Sequence, residues 1–289
     1  MHKETVVIDG RVIARALLEE LEIEIKNFKE QGIIPKLTVV ILGDDPSAMA
    51  YVRMIEKGCK TVDMELDLLK LPLEATEEFL VAEICRLNRD DRVHGILVQM
   101  PLPSHIRENV ILSTIDYRKD VDGFNPINAG RLVVGADTYL PCTPGGIMHA
   151  LDYHNIELSG KNAVVIGRSN IVGKPIAMLL LERNATVTIC HSRTADLKSH
   201  TKNADILVAA VGRANFVTGD MVKEGAVVID VGINVIDGKL VGDVEYNSVA
   251  PVSAYITPVP GGVGSTTISI LIQNTLKSVK RALKRMETK

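Results

Sequence analysis

The alternation of apolar and polar positions divides this chain into strands and helices before any chemistry is considered. Residues 10–31 repeat apolar side chains at helical spacing (Val12, Ile13, Ala16, Leu17, Leu21, Ile25, Phe28), with Asp9 placed to cap the start and Gly32 to end it. LTVVIL (37–42) reads as a buried strand closed by the turn GDDPS, and a helix follows over about 47–62. LDLLKL (66–71) and GILVQM (95–100) read as further strands, separated by a helix over 76–87. Strand–helix–strand at this spacing predicts right-handed crossovers and a parallel sheet.

Residues 114–145 change character. They are rich in Asp, Asn, Pro and Gly, and read as ordered loop and hinge, where ligands usually sit. A helix over 147–155 leads into a second series, with strands at 163–166, 186–190, 205–210 and 226–230 and helices between them. TPVPGGVGSTT (257–267) is loop again. The last helix, 268–286, carries Ile268, Ile270, Leu271, Leu276 and Val279 and a basic end that suits the helix dipole. No repeat or low-complexity segment intervenes. The fold class is α/β, with two parallel-sheet domains.

Composition narrows the partners. At 289 residues the chain predicts about two domains, and 46% hydrophobic residues with only 3% aromatics and no Trp give aliphatic cores. Lys+Arg 33 against Asp+Glu 36, a net charge of −3, speaks against nucleic acid. The cysteines, Cys59, Cys85, Cys142 and Cys190, are widely spaced without a C-x-x-C pair, so reduced thiols are expected and no metal site. The opening MHKETVVIDG has no apolar signal region, and no apolar run reaches membrane-spanning length. The expectation is a soluble cytoplasmic protein.

The most informative stretch is AVVIGRSNIVGKP (163–175). A buried strand breaks at Gly167, a polar turn follows, and a helix pattern begins near Ile171. This is the geometry that presents N–H groups and a positive helix end to a phosphate. It departs from G-x-G-x-x-G: Ser169 takes the second glycine's place and Gly173 comes one position late. After the next strand, where an NAD site places a carboxylate for the ribose, the chain has His191, Ser192, Arg193 and Thr194. Arg168 adds a further cation, and guanidinium suits a 2′-phosphate, so NADP is favoured over NAD. Taken alone, Arg168 and Arg193 serve equally well as solvated loop cations.

Several motifs converge in order: Tyr51-Val52, VQMPLP (98–103), KDVDGF (119–124), PCTP (141–144), GRS with Val172-Gly173 and Pro175, and PVPGGVG (258–264). Together they strongly resemble the bifunctional methylenetetrahydrofolate dehydrogenase/methenyltetrahydrofolate cyclohydrolase family, over nearly the whole chain. The resemblance implies a folate-binding domain of residues 1–143 completed by the C-terminal helix (268–289), a Rossmann NADP-binding domain of residues 144–267, and an active site in the cleft. It implies oxidation of 5,10-methylenetetrahydrofolate by NADP in one-carbon metabolism, then hydrolysis to 10-formyltetrahydrofolate in the same pocket. A homodimer is also implied.

By matching position, Asp122 would grip the amino-pyrimidine edge of the pterin. Gln99 would contact the reacting end of the folate, and Tyr51 would line the pocket, with Val98, Met100, Pro260, Gly261, Gly262 and Thr267 as further substrate contacts. Gly167, Arg168, Ser169, Val172, Gly173, Ser192, Arg193 and Ile233 would contact the cofactor. Singly, each has a plainer role: Asp122 as a turn-forming Asp-Gly, Tyr51 as a core tyrosine, Gln99 as a strand-end amide.

One position departs from the family. Its Y-V-x-x-K run becomes Tyr51-Val52-Arg53-Met54-Ile55, so Ile55 stands at the place of the catalytic lysine, and Cys59 keeps the register. On a helix Ile55 lies about 40° from Tyr51, whereas Lys57 lies about 120° away on the other side. Arg53 and Lys60 lie roughly opposite. Hydride transfer is therefore expected, with the cyclohydrolase step weak or absent. Ser265 replaces the family's usual Pro and is expected to cap the last helix. Two alternatives are a Rossmann dehydrogenase with another small substrate and a non-catalytic folate- or nucleotide-binding relative.

Overall fold

The computed structural model describes residues 4–287, except the side chain of Met286. In chain order the elements are β1 (Val6–Val7), α1 (Gly10–Glu30), β2 (Lys36–Leu42), α2 (Pro46–Thr61), β3 (Glu65–Leu71), α3 (Glu77–Arg89), β4 (Gly95–Val98), α4 (Glu108–Thr114), α5 (Pro126–Val133) and α6 (Cys142–Tyr153). Then follow β5 (Asn162–Ile166), α7 (Gly173–Glu182), β6 (Thr186–Cys190), α8 (Leu197–Thr201), β7 (Ile206–Ala209), β8 (Ala226–Asp230), β9 (Asn234–Ile236), β10 (Lys239–Val241), α9 (Tyr246–Val249), β11 (Ser253–Ile256) and α10 (Thr267–Glu287). The chain divides into two compact units, one of Arg15–Cys142 with the segment from Ile268, the other of the segment to Ala14 with Thr143–Thr267.

The unit containing Arg15–Cys142 is built on a parallel sheet in the order β3-β2-β4. The central strand is apolar from Val39 to Leu42, and at Leu37, because both faces are covered there. Leu37, Val39 and Ile41 face a cluster with Leu21, Ile25, Ile55, Leu271, Ile272 and Leu276. Val40 and Leu42 face the opposite cluster, with Leu80, Ile84 and Ile111. At Gly58 a Cβ atom would lie 2.5 Å from Ile268 Cγ2, so α2 and α10 pack as closely as a glycine permits.

The other unit is a six-stranded sheet in the order β1-β11-β8-β7-β5-β6, parallel throughout. A hairpin, β9–β10, turns on Asp237 and Gly238, both at positive φ (49° and 74°), as a two-residue turn of this hand requires.

Several sequence expectations are corrected. Residues 4–14, expected with the folate domain, lie in the six-stranded unit: Val6 and Val7 pair with Tyr255 and Ile256 of β11. Two residues of strand carry no periodicity to read. Residues 1–3 and 288–289 of that expected domain lie outside the described residues. The stretch 114–145 is not all loop. Asn125 accepts the Ile127 N–H at 2.8 Å with Pro126 in the first turn, which starts α5. The expected 147–155 helix begins at Cys142. Ser265 does not cap α10 but lies in a short 3-10 turn before it. Asp9 does cap α1, accepting the Arg11 N–H at 2.8 Å.

Among the described residues no helix is long and apolar enough to cross a membrane. Nor does any group of three or more His, Cys, Asp or Glu there suit a metal ion.

Candidate active site

In the three-stranded unit the site begins where β2 ends. Asp45 accepts the N–H groups of Ser47 (3.0 Å) and Ala48 (2.9 Å), which fixes the start of α2 and so the angular position of Tyr51. Tyr51 is half-buried and packs against the cluster that holds Ile55, Leu97, Val121 and Cys142. Ile55 is 0% exposed. Arg53, Lys57 and Lys60 on the same helix are exposed, as the helical spacing predicts. Burial pushes the Cys59 thiol up to about 12.

Gln99 follows β4. Its N–H continues the ladder to the Val40 carbonyl at 2.8 Å, and its side-chain amide donates to the Met100 carbonyl at 2.8 Å. Alternation along the strand carries Gln99 to the face of Leu97, the face of Tyr51 and Ile55. Val98 alternates the other way and packs with Val40 and Ile96, so its side chain is not at the site. Met100 is half-buried.

Asp122 is placed by a second aspartate that sequence reasoning missed. Lys119 and Asp120 run beside β4, with the Ile96 N–H donating to the Lys119 carbonyl at 2.8 Å. The buried Asp120 carboxylate accepts the N–H groups of Phe124 (3.2 Å) and Asn125 (2.8 Å) and the Asn128 side-chain amide (2.8 Å). Gly123 has φ +74°, and a Cβ there would lie 2.9 Å from the Tyr139 carbonyl, so the turn needs glycine. Asp122 is thereby held against Cys142. Burial pushes its carboxyl up to about 7, opposed by a hydrogen bond from the Cys142 thiol. Burial likewise raises that thiol well above its usual range. Asn274 of α10 braces the turn by donating to the Val121 and Leu140 carbonyls, both at 2.8 Å.

In the six-stranded unit the glycine turn follows β5. Gly167 has φ +131°, and a Cβ there would lie 2.2 Å from the Ala210 carbonyl oxygen. At Gly173 a Cβ would lie 2.4 Å from the Gly167 carbonyl oxygen, so Gly173 lets α7 close onto the turn although it comes late in the fingerprint. Ser169 is more than a glycine substitute. Its Oγ accepts the N–H groups of Val172 (3.1 Å) and Gly173 (3.2 Å), tying the turn to the start of α7 and leaving its own hydrogen to donate. Arg168 is exposed beside it, as are Ser192 and Arg193 after β6. Among the described residues neither arginine has an ion-pair partner. Ile233, 68% exposed, stands in the loop after β8.

The loop carrying Pro260, Gly261 and Gly262 is held by the N-terminal segment. The Gly10 N–H donates to the Gly261 carbonyl at 2.9 Å, and a Cβ at Gly10 would lie 2.0 Å from the Gly262 oxygen. Arg11 donates to the Pro260 carbonyl at 3.4 Å. Thr267 Oγ1 donates to the Gly264 carbonyl at 3.1 Å. No local pattern at Gly10 or Arg11 signals this role.

Residues 8–122 match the model of the tetrahydrofolate dehydrogenase/cyclohydrolase catalytic domain, and residues 141–283 match that of its NAD(P)-binding domain. The chain belongs to the tetrahydrofolate dehydrogenase/cyclohydrolase family. Within it, the bifunctional protein FolD of Bacillus cytotoxicus is 54% identical over 278 residues, 96% of this chain and 97% of that protein. The FolD methylenetetrahydrofolate dehydrogenase/cyclohydrolase of Campylobacter jejuni superposes with a TM-score of 0.95 at 46% identity, covering 96% of this chain and 99% of that one. The Trypanosoma brucei FolD, solved with NADP and an inhibitor, gives 0.92 at 39% identity, covering 97% and 99%. The family's two domain models join near residues 122–141, where the chain passes from the Asp122 turn into α6.

Proposed function

We propose that this enzyme oxidises 5,10-methylenetetrahydrofolate to 5,10-methenyltetrahydrofolate with NADP, and that hydrolysis to 10-formyltetrahydrofolate is impaired. Asp122 accepts hydrogen bonds from the pterin's amino-pyrimidine edge, Gln99 orients the reacting end, and Tyr51 flanks it. Val98, through its main chain, and Met100, Pro260, Gly261, Gly262 and Thr267 complete the substrate contacts. The cradle at Gly167 and Gly173, with Val172, the Ser169 hydroxyl, Arg168, Ser192, Arg193 and Ile233, fits a phosphate-bearing dinucleotide. NADP, when bound, accepts the hydride.

Loss of hydride from the methylene carbon leaves a cation shared with the two adjacent nitrogens, so this step needs placement rather than a protein acid or base. Hydrolysis differs: water must be oriented and protons moved. The observation that carries the reading is Ile55, fully buried on the Tyr51 face of α2. An alkyl side chain there neither donates a proton nor holds a water. Paired assays on the pure protein test it, following NADPH formation with methylenetetrahydrofolate and the decay of methenyltetrahydrofolate. The reading includes a cytoplasmic homodimer, which sedimentation checks for assembly.

A further inference from the structure

Two buried aspartates in the six-stranded unit lie outside every role assigned so far. Asp230 ends β8, and its carboxylate accepts the N–H groups of Gly232 (2.9 Å), Asp243 (2.9 Å) and Val244 (3.0 Å). Asp243 accepts the N–H groups of Val211 (2.6 Å), Gly212 (2.9 Å) and Arg213 (2.9 Å), and the Asn234 side-chain amide (3.0 Å). They are 4% and 0% exposed. Neither has an ion-pair partner among the described residues, and N–H donors alone satisfy them.

The packing around them leaves no slack. A Cβ at Gly242 would lie 1.7 Å from Asp230 Oδ2, and one at Gly232 would lie 2.3 Å from Asp243 Oδ1. Burying a carboxylate without a cation is costly, so the arrangement carries more than turn formation.

What the pair joins identifies its purpose. Val211–Arg213 follow β7, and Gly232–Asn234 follow β8 and enclose Ile233. Both lie at the carboxyl edge of a parallel sheet, where ligands bind in open α/β folds. A third loop is tied in through Thr257, whose hydroxyl accepts the Asp230 N–H at 2.7 Å and which opens the segment leading to Pro260–Gly262. The carboxylates thus fix the loop of the proposed nicotinamide contact, and Thr257 links it through the Asp230 main chain to the loop of the proposed folate contacts.

We propose that Asp230, Asp243 and Thr257 together are positioning residues for hydride transfer: the two carboxylates fix the Ile233 loop, and the Thr257 hydroxyl ties it, through the Asp230 main chain, to the segment that leads to Pro260–Gly262; this rests on the function proposed above. Neither carboxylate touches a reactant, and both act through the backbone they hold. Misplacing one loop lengthens the hydride path, to which transfer is steeply sensitive.

The test uses the full chain and two mild variants, Thr257→Val and Asn234→Ala, each removing one link while leaving both carboxylates. We expect kcat for methylenetetrahydrofolate oxidation to fall about tenfold. The primary deuterium isotope effect with methylene-deuterated substrate should rise, and folate KM should stay within about twofold. Asp243→Asn, which sets an amide NH2 against N–H donors, should give the larger loss in any folded fraction. Unchanged kcat and isotope effect in both mild variants overturns the proposal. So does a lower kcat with an unchanged isotope effect, which reports only a smaller folded fraction. Wild type that fails to oxidise methylenetetrahydrofolate with NADP overturns the proposed function and this inference with it; active wild type with equally active variants overturns this inference alone.

Discussion

Replacing Ile55 by lysine puts the division of labour in this enzyme to a direct test. Ile55 is 0% exposed among aliphatic side chains of β2, β4 and α10. Burying an isoleucine contributes about 1.5–3 kcal/mol, and the lysine stem recovers part of that. The ammonium is the larger problem. A fully buried lysine is depressed by up to about 3–5 pKa units, and at about 1.36 kcal/mol per unit this approaches a domain's whole stability. Ile55→Lys is therefore tolerated only if Nζ extends along the Tyr51 face to the polar groups near Gln99 and Asp122, which is also where it would serve hydrolysis.

The expected outcome is coupled. Ile55→Lys lowers the melting temperature, folate ligand restores much of it, and methenyltetrahydrofolate hydrolysis rises by about 10²–10⁴-fold, the range for a placed acid–base group. Ile55→Met, which keeps volume, should cost under about 1.5 kcal/mol and leave both activities unchanged. The assay is absorbance decay of methenyltetrahydrofolate beside NADPH formation. Wild-type hydrolysis as fast as the oxidation, and abolished by Gln99→Ala, would refute the reasoning.

Three further outcomes are expected. Arg168→Ala and Arg193→Ala should each lower kcat/KM with NADP by about tenfold or more while sparing NAD, as loss of a charged hydrogen bond requires; steady-state kinetics with both nucleotides checks this. Ser169→Ala removes the acceptor of the Val172 and Gly173 N–H groups and should cost about 1 kcal/mol in urea unfolding, as loss of a turn hydrogen bond does, and weaken NADP binding. The Asp122 carboxyl, raised by burial to about 7, binds a proton in the folded state that the unfolded chain releases near pH 4. The ligand-free protein therefore loses stability as pH rises from about 4 to 7, by at most about 1.4 kcal/mol per pH unit from this group. Asp122→Asn should flatten that slope in pH-dependent unfolding.

Much of this was legible because strands buried on both faces are continuous apolar runs. LTVVIL, AVVI and the 226–230 strand announce themselves, and the turn after Gly167 is a local motif. The failures have physical causes. β1 is too short to show a period, and only pairing with β11 makes it a strand. α5 opens on Asn125-Pro126, which in isolation is as good a turn as a helix start. Asp120 and Asp243 are charged residues that a sequence reading assigns to the surface; their role depends on N–H groups that only folding gathers. Ile55 stands out only against the family's Y-V-x-x-K run; an isoleucine on a buried helix face is otherwise ordinary.

The strand pairing at Val6–Val7 bears on how the chain is made. The segment to Ala14 leaves the ribosome well before its partner β11 and the loop it braces, with most of both units made in between. The other unit has the reverse difficulty, since α10, which closes its core, follows the whole of the six-stranded unit. Neither unit is a continuous stretch, so neither can close its core until its later segment has been made. At about 5–20 residues per second, the nascent chain carries open apolar sheet for many seconds, a demand on holding chaperones that a chain of consecutive domains would avoid.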